Sequence, residues 1–523
     1  MSEEKQVKKI KQLKGRIENN LSGLIRMVIV GLLVLLQIGI LAILPFVLHE
    51  FTVYFYVIME LFSVVFIFTV TNQNKSASYK IAWFCIVLLL PVSGVIMFAF
   101  WGKTGKRNKL QARILERMEE VKPYQVQDMN VLKEFCERHP VSSRMSKFMV
   151  AESSPLYKNN QVSYFRMGED AFEEIFKDIE LAEKFVLIDF FIVAEGAIWD
   201  QMHEILLRKI KQGVKVLFLY DDFGAMMRTN KNFARDLIAE GFEVQIFNPI
   251  HKYTDKLFMN FRSHQKIIVI DGNVGYTGGF NIADEYANLV NRFGVWKDTG
   301  VRIEGDAVWG MTLTFLQMWH VCSGNGIDYD YFRPNRKFLA NDTYCHVLAD
   351  GPASNPNCFI ESMYKQMINY AGQKLYIMTP YMILEDYMIQ SLVESVCRGV
   401  DVRIITPYIP DKKHVKWLTE YNYGILLKHG IRIYEYLPGF IHAKVIMNEH
   451  CAIVGTINMD YRSFYLHYEN GLWLYDEKLI QDITSDFEDT FAESKEVTYE
   501  EWLNRPLGLR FCQYVFNVFS TLV

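Results

Sequence analysis

Little in this chain points to disulfides, to a bound metal or to nucleic acid. Its eight cysteines (Cys85, Cys136, Cys322, Cys345, Cys358, Cys397, Cys451, Cys512) are scattered, with no C-x-x-C pair and no disulfide-like clustering. That pattern fits free thiols on a reducing side. No metal-site spacing appears either. Formal net charge is −4, so no global basic field argues for nucleic acid. A signal peptide is missing as well, because the first apolar run is too long for one and no small-residue cleavage site follows it.

What is present is a chain of 523 residues, enough for two or three domains, with its apolar content gathered at the N-terminal end. Residues 27–48, 51–71 and 81–101 are nearly charge-free, and each reaches the roughly 20 residues a membrane-crossing helix needs. They predict three transmembrane helices. Glu60 lies near the centre of the second run, where a carboxylate is costly unless protonated or paired. Seven Lys/Arg against three acids precede the first run, and KTGKRNKLQARILER after the third carries six against one. Positive flanks prefer the cytoplasm, yet three crossings put these two on opposite sides. One run is therefore re-entrant or one flank loses, and the favoured reading is a multi-pass protein whose catalytic part faces the cytoplasm. The terminal FCQYVFNVFSTLV either touches the bilayer or docks on the core.

A basic segment (1–26) and the membrane part (27–102) lead into a connector (103–160). Beyond it two segments, 161–335 and 336–523, share one order of elements. In the first, KFVLIDFFI reads as a strand, WDQMHEILLRKIKQG as a helix ending at Gly213, and VKVLFLYDD as a second strand. In the second, QKLYIMTPYM, DYMIQSLVESVCRG ending at Gly399, and VDVRIITPY repeat the pattern. Continuous apolar strands alternating with helices predict α/β units around a buried sheet, and Gly after each helix is the usual stop. The strands GVKVLFLYDD and GVDVRIITPY begin 186 positions apart, and His264 and His442 lie 178 apart. A period that long reads as a duplicated domain rather than a solenoid.

Each copy ends in a related phrase, HQKIIVIDGNVGYTGGFN from His264 and HAKVIMNEHCAIVGTIN from His442. On a strand, His264 and Lys266 emerge on one face, as do His442 and Lys444. A neutral imidazole can attack phosphorus, and an ammonium two positions on can hold its oxygens. Asn281 and Asn458, 17 and 16 residues after the histidines, can donate to the same oxygens. Thr456 can add a hydroxyl, whereas Gly279 at the matching place cannot. A lone His or Lys in such a run is usually packed or snorkelling; the duplication makes function the better reading.

The paired H-x-K-x(4)-D/E motifs resemble those of the phospholipase D superfamily, whose members bring two copies together at a pseudo-twofold interface. Within it the chain is similar to the bacterial cardiolipin synthases from about residue 51 to about residue 510, in SYKIAWFCIVLLLPVSGVIMFAFWG, GGFNIADEY, WKDTG, TPYM, GFIHAK and GTINMDYRSFYLHYE. The resemblance implies two phospholipase D-like α/β domains related by a pseudo-twofold, and transfer of a phosphatidyl group through a phosphohistidine. It implies no metal and no cofactor, phosphatidylglycerol in the bilayer as substrate, and no nucleic acid partner. Asp298 and Glu469 fall at the family positions that orient the histidines; Glu285 and Arg462 also match, though an internal salt bridge or cap explains them equally well.

Other classes remain to be weighed: a hydrolase or a transferase to another alcohol, a phospholipase D-like nuclease, and an inactive membrane scaffold. Three apolar runs disfavour the nuclease, and complete His, Lys and Asn sets disfavour the scaffold. The second copy has Glu449 where the first has Asp271, and it is one residue shorter after Lys444. Since a deletion inside a strand would flip every later side chain, the turn should absorb it. The acid is then structural, with Glu449 or Asn448 able to tie the turn.

Overall fold

The computed structural model describes residues 51–73, 76–102, 109–226, 228–249, 260–353 and 358–522, with scattered positions between 31 and 47. They fall into two compact units. One holds the described residues up to Lys109 together with Phe511 onward; the other holds Leu110–Pro249 and Asn260–Arg510.

In the first unit Thr52–Thr71 is one helix, and its stretch Val53–Thr71 is the single helix among the described residues long and apolar enough to cross a membrane. Glu60 is exposed on it. The basic segment 1–26, and most of the span expected at 27–48, lie outside the described residues. The helix expected over 81–101 is not continuous. Ala77–Leu89 ends at Leu90 (φ −133°, ψ 71°), Pro91–Met97 starts again, and Phe98–Gly102 closes in a π turn. Pro91 is the cause, because its ring disfavours helical geometry at Leu90 and its nitrogen has no proton to donate.

The two arms fold against each other as a hairpin. The Tyr79 hydroxyl donates to the Gly102 carbonyl at 2.6 Å, and the Trp83 and Phe98 rings meet edge to face at 5.0 Å. Gly94 permits the close approach, since a Cβ there would stand 2.9 Å from the Ile86 carbonyl oxygen. At the tip the buried Gln37 side chain accepts from Val92 N and Ser93 N, both at 3.2 Å. Without it those helix-start donors would be left open, which an apolar surrounding does not tolerate. The C-terminal turn Ser520–Leu522 packs on Ala77–Leu89, so the end of the apolar C-terminal segment belongs to this unit.

The second unit contains two sheets of matching topology. In the first, the strands run Gly300–Gly305, Val274–Gly278, Lys266–Ile270, Phe185–Phe190, Lys215–Asp221, Glu243–Phe247, with Asn160–Phe165 added outside Gly300–Gly305. In the second, His467–Tyr475, Ala452–Gly455, Val445–Asn448, Lys374–Met378, Asp401–Pro407 and Arg432–Tyr436 follow the same order, with Tyr344–Asp350 outside. The crossover strands are parallel and the motif strands form antiparallel hairpins. Each sheet covers one face with its own helices. The other faces, including Val269, Val301, Met447 and Leu472, share one core with the helices Val308–Ser323 and Glu477–Ala492. The helix Lys109–Val121 adds Leu110, Ile114 and Val121 to that core.

The short second hairpin keeps its register. Ile268 faces Tyr276 in the first copy and Ile446 faces Ile453 in the second, so the lost residue falls between the strands. In the first turn Asp271 (φ 53°) and Gly272 (φ 69°) are left-handed, as a tight hairpin turn requires. Asp271 accepts from Glu183 N, Lys184 N and Phe185 N, each at 2.8 Å. Glu449 performs the same task, accepting from Gly372 N, Gln373 N and Lys374 N at 2.8, 3.2 and 3.4 Å. Asn448 closes its turn through His450 N and Cys451 N at 2.9 and 3.0 Å.

Candidate active site

Where the two sheets meet, the segment leading up to each motif histidine pairs with the other repeat rather than with its own. Arg262–Ser263 runs parallel to His467–Tyr468, and His264 N donates to Tyr468 O at 2.8 Å. Symmetrically, Gly439–Ile441 runs parallel to Val295–Lys297, and His442 N donates to Lys297 O at 2.7 Å. The strands that receive them carry Glu469 and Asp298 one position further on.

The side chains therefore cross. His264 Nδ1 lies 2.9 and 3.0 Å from the two Glu469 oxygens, and His442 Nδ1 lies 2.6 Å from Asp298 Oδ2. Both carboxyls are fully buried and both imidazoles nearly so. A bond at Nδ1 leaves Nε2 of each ring as the reacting nitrogen. Lys266 Nζ donates to His264 O at 2.9 Å, and Lys444 Nζ donates to His442 O. Each ammonium is thereby tethered beside its own histidine.

Burial sets the charges. It pushes His264 well below the usual imidazole range, and Lys266, His467 and Lys444 add to the effect. His442 is pushed down to about 4 by burial and by Lys444, against an upward pull from Asp298. Burial also lowers Lys266 to about 8 and Lys444 to about 7, while Asp298 and Glu469 hold each lysine from falling further. Lys444 acts on His264 and Lys266 on His442, so the two motifs form one electrostatic site.

The halves differ in detail. Burial raises Glu469 to about 8, and burial also holds His264 well below the usual imidazole range. Thr456 was expected at the phosphate, but its hydroxyl is committed to Glu469 Oε2 and to the Asn470 backbone, at 3.0 Å from both Asn470 O and N. It holds the carboxyl. At the matching Gly279 a Cβ would collide with Asp298 Oδ1, so the shorter acid and the glycine go together.

Asn281 Oδ1 accepts from Ile192 N at 3.0 Å, and its amide donates to the Tyr286 hydroxyl at 2.8 Å, leaving one amide proton. Asn458 Oδ1 is buried without a hydrogen-bond partner among the described residues. Glu285 is tied by Arg228 and by Arg292 at 3.1 Å, while Arg462 reaches Asn260 at 3.3 Å.

Sequence reasoning missed the ring beside each histidine. Trp296 lies tilted beside His442 with centroids 5.5 Å apart, and His467 stands near His264 at 5.6 Å. Both lie two residues before the carboxylate on the same strand face, which is the signal that locates them. Tyr286 and Phe440 also border His442, at 5.4 and 5.8 Å, and Phe191 borders His264 at 5.2 Å.

Two copies of one α/β fold exchanging carboxylates around paired His-x-Lys segments make this a phospholipase D-type protein. The family model described as cardiolipin synthase, phospholipase D-like domain, matches residues 175–295 and 364–491, and the phospholipase D-nuclease N-terminal model matches 61–103. Cardiolipin synthase 1 of Staphylococcus aureus is 33% identical over 86% of this chain and 93% of its own length. The major cardiolipin synthase of Bacillus subtilis is 31% identical over 90% and 98%. A phosphatidylserine synthase structure from Haemophilus influenzae shares the fold, with TM-score 0.55 and 16% identity over 69% of this chain and 95% of that one. The chain belongs to the cardiolipin synthase family.

Proposed function

We propose that the protein joins two phosphatidylglycerol molecules into cardiolipin and releases glycerol. The observation that carries this reading is the crosswise pairing of His264 with Glu469 and of His442 with Asp298, on a family member with an apolar N-terminal unit. His264, resting neutral, attacks the phosphorus of the first lipid through Nε2. The bond to the glycerol oxygen breaks as His442, protonated when the anionic lipid binds, gives that oxygen its proton. His442 then takes the proton from the headgroup hydroxyl of the second lipid as its oxygen displaces His264. Lys266, Lys444, Asn281 and Asn458 stabilise the charge that grows on the non-bridging oxygens. When the phospho-imidazole becomes cationic, its Nδ1–H stays hydrogen-bonded to the Glu469 carboxyl.

The test is the purified full-length enzyme in bilayers of phosphatidylglycerol alone. Cardiolipin with equimolar glycerol is expected; phosphatidic acid would identify a hydrolase. His264→Ala and His442→Ala should each abolish turnover, and near-normal turnover in either sinks the mechanism. Trapping the phosphoryl group on His442 would reverse the roles.

The same reading extends to topology. The 13 residues of Ala77–Leu89 rise about 20 Å, short of the roughly 30 Å of a hydrocarbon core. Two crossings, at 27–48 and 51–71, followed by a re-entrant hairpin, put both basic flanks and the catalytic unit in the cytoplasm of a bacterial cell. Gln37, midway along the first run, caps the hairpin tip, which sets the tip near mid-bilayer.

A further inference from the structure

We infer that the loop 288–295, with Leu437 beside it, is a lip that enters the surface of an anionic phospholipid bilayer and delivers lipid to the His442 side of the site. This rests on the transferase reading above. Leu289 and Val290 are 57% and 51% exposed, Val295 is 40% and Leu437 46%. Four aliphatic side chains displayed on two neighbouring loops are unusual for a surface that meets only water.

The loop is built rather than loose. Asn288 brackets it, receiving Trp296 N at 2.7 Å and donating to Trp296 O at 3.0 Å. Val295 N donates to Pro438 O at 3.0 Å, and strand pairing of Val295 with Gly439 brings Leu437 alongside. Its two ends carry Tyr286 and Trp296, the rings against His442. The exposed tip is thus held at both ends by rings that border the His442 imidazole.

Charge selects the occupant. Within 288–295 the one charged residue is Arg292, whose side chain is 48% exposed and pairs with Glu285 at 3.1 Å. Apolar residues around an exposed cation suit an anionic lipid surface.

The test uses full-length enzyme in phosphatidylglycerol bilayers. Leu289→Ser with Val290→Ser should raise the apparent KM for bilayer lipid roughly tenfold, the scale for losing two aliphatic contacts with hydrocarbon. kcat, and turnover of monomeric short-chain phosphatidylglycerol, should stay near the parent values. Leu289→Trp should be quenched by lipids brominated on the acyl chains, and Leu339→Trp, on an exposed side chain elsewhere, should not. Unchanged KM, equal loss on monomeric lipid, or a Leu289→Trp shielded by a second copy overturns the lip. Quenching is read without turnover, so an enzyme inactive on both lipid forms would refute the transferase reading while bromolipid contact still decides this one.

Discussion

At the scale of single residues, the proposed mechanism asks two identical histidines to act unlike. Asp298 lifts His442 towards protonation against burial, whereas the Glu469 carboxyl beside His264 is itself raised to about 8 by burial. Asp298→Asn should therefore lower kcat by roughly 10²–10⁴-fold, the usual worth of a positioned acid or base. Because Asp298 raises the pKa of His442, its removal lowers that pKa, and the alkaline limb of kcat should move to lower pH. A variant with reduced kcat and an unmoved limb would mean that Asp298 only supports the fold. Combining Asp298→Asn with His442→Ala should be no worse than His442→Ala alone, since contacting groups do not act additively. The histidines and lysines could be found in the sequence because their types repeat at matching places, whereas Asp298 and Glu469 came through the family resemblance. His467 and Trp296 went unread because the two copies place different residues there, and only their position two before each carboxylate marks them. Nor could the role of Thr456, whose proton goes to a carboxyl that only the other strand of the sheet supplies.

At the scale of elements, the shortened hairpin separates what holds the strand from what reacts. Asp271 and Glu449 spend their oxygens on the backbone N–H groups that open the first central strand of each repeat. The longer arm of Glu449 makes up for the missing turn residue. Glu449→Ala leaves three donors to find other partners, so a loss of about 1–3 kcal/mol is expected, seen as a lower unfolding midpoint with kcat nearly unchanged. Lengthening the turn by one residue with Glu449→Asp should likewise alter stability more than rate, and a large gain in rate would contradict the structural role. This was legible in advance because side-chain alternation forbids a deletion within a strand. The break at Leu90 was not read, although Pro91 stood in the third apolar run: length and hydropathy alone do not register one residue that stops a helix.

At the scale of the whole molecule, duplication supplies the histidines and exchange supplies their partners. His264 and Glu469 are 205 positions apart, and His442 and Asp298 are 144 apart, so no local pattern announces either pair. A similar limit applied to the membrane part, where basic flanks at both ends conflicted with three crossings. Under the proposed topology the folded-back hairpin removes the conflict by turning one crossing into none. Reporter fusions at residue 1 and at residue 103 should both read as cytoplasmic. Opposite readings would restore three crossings and place one basic flank outside. Gln37→Leu tests the same geometry from within, because it strips the cap from Val92 N and Ser93 N. The hairpin tip should then admit water, and a cysteine introduced at Val92 should be alkylated by a polar reagent in this variant and be protected in the parent; equal protection in both would mean that Gln37 does not seal the tip.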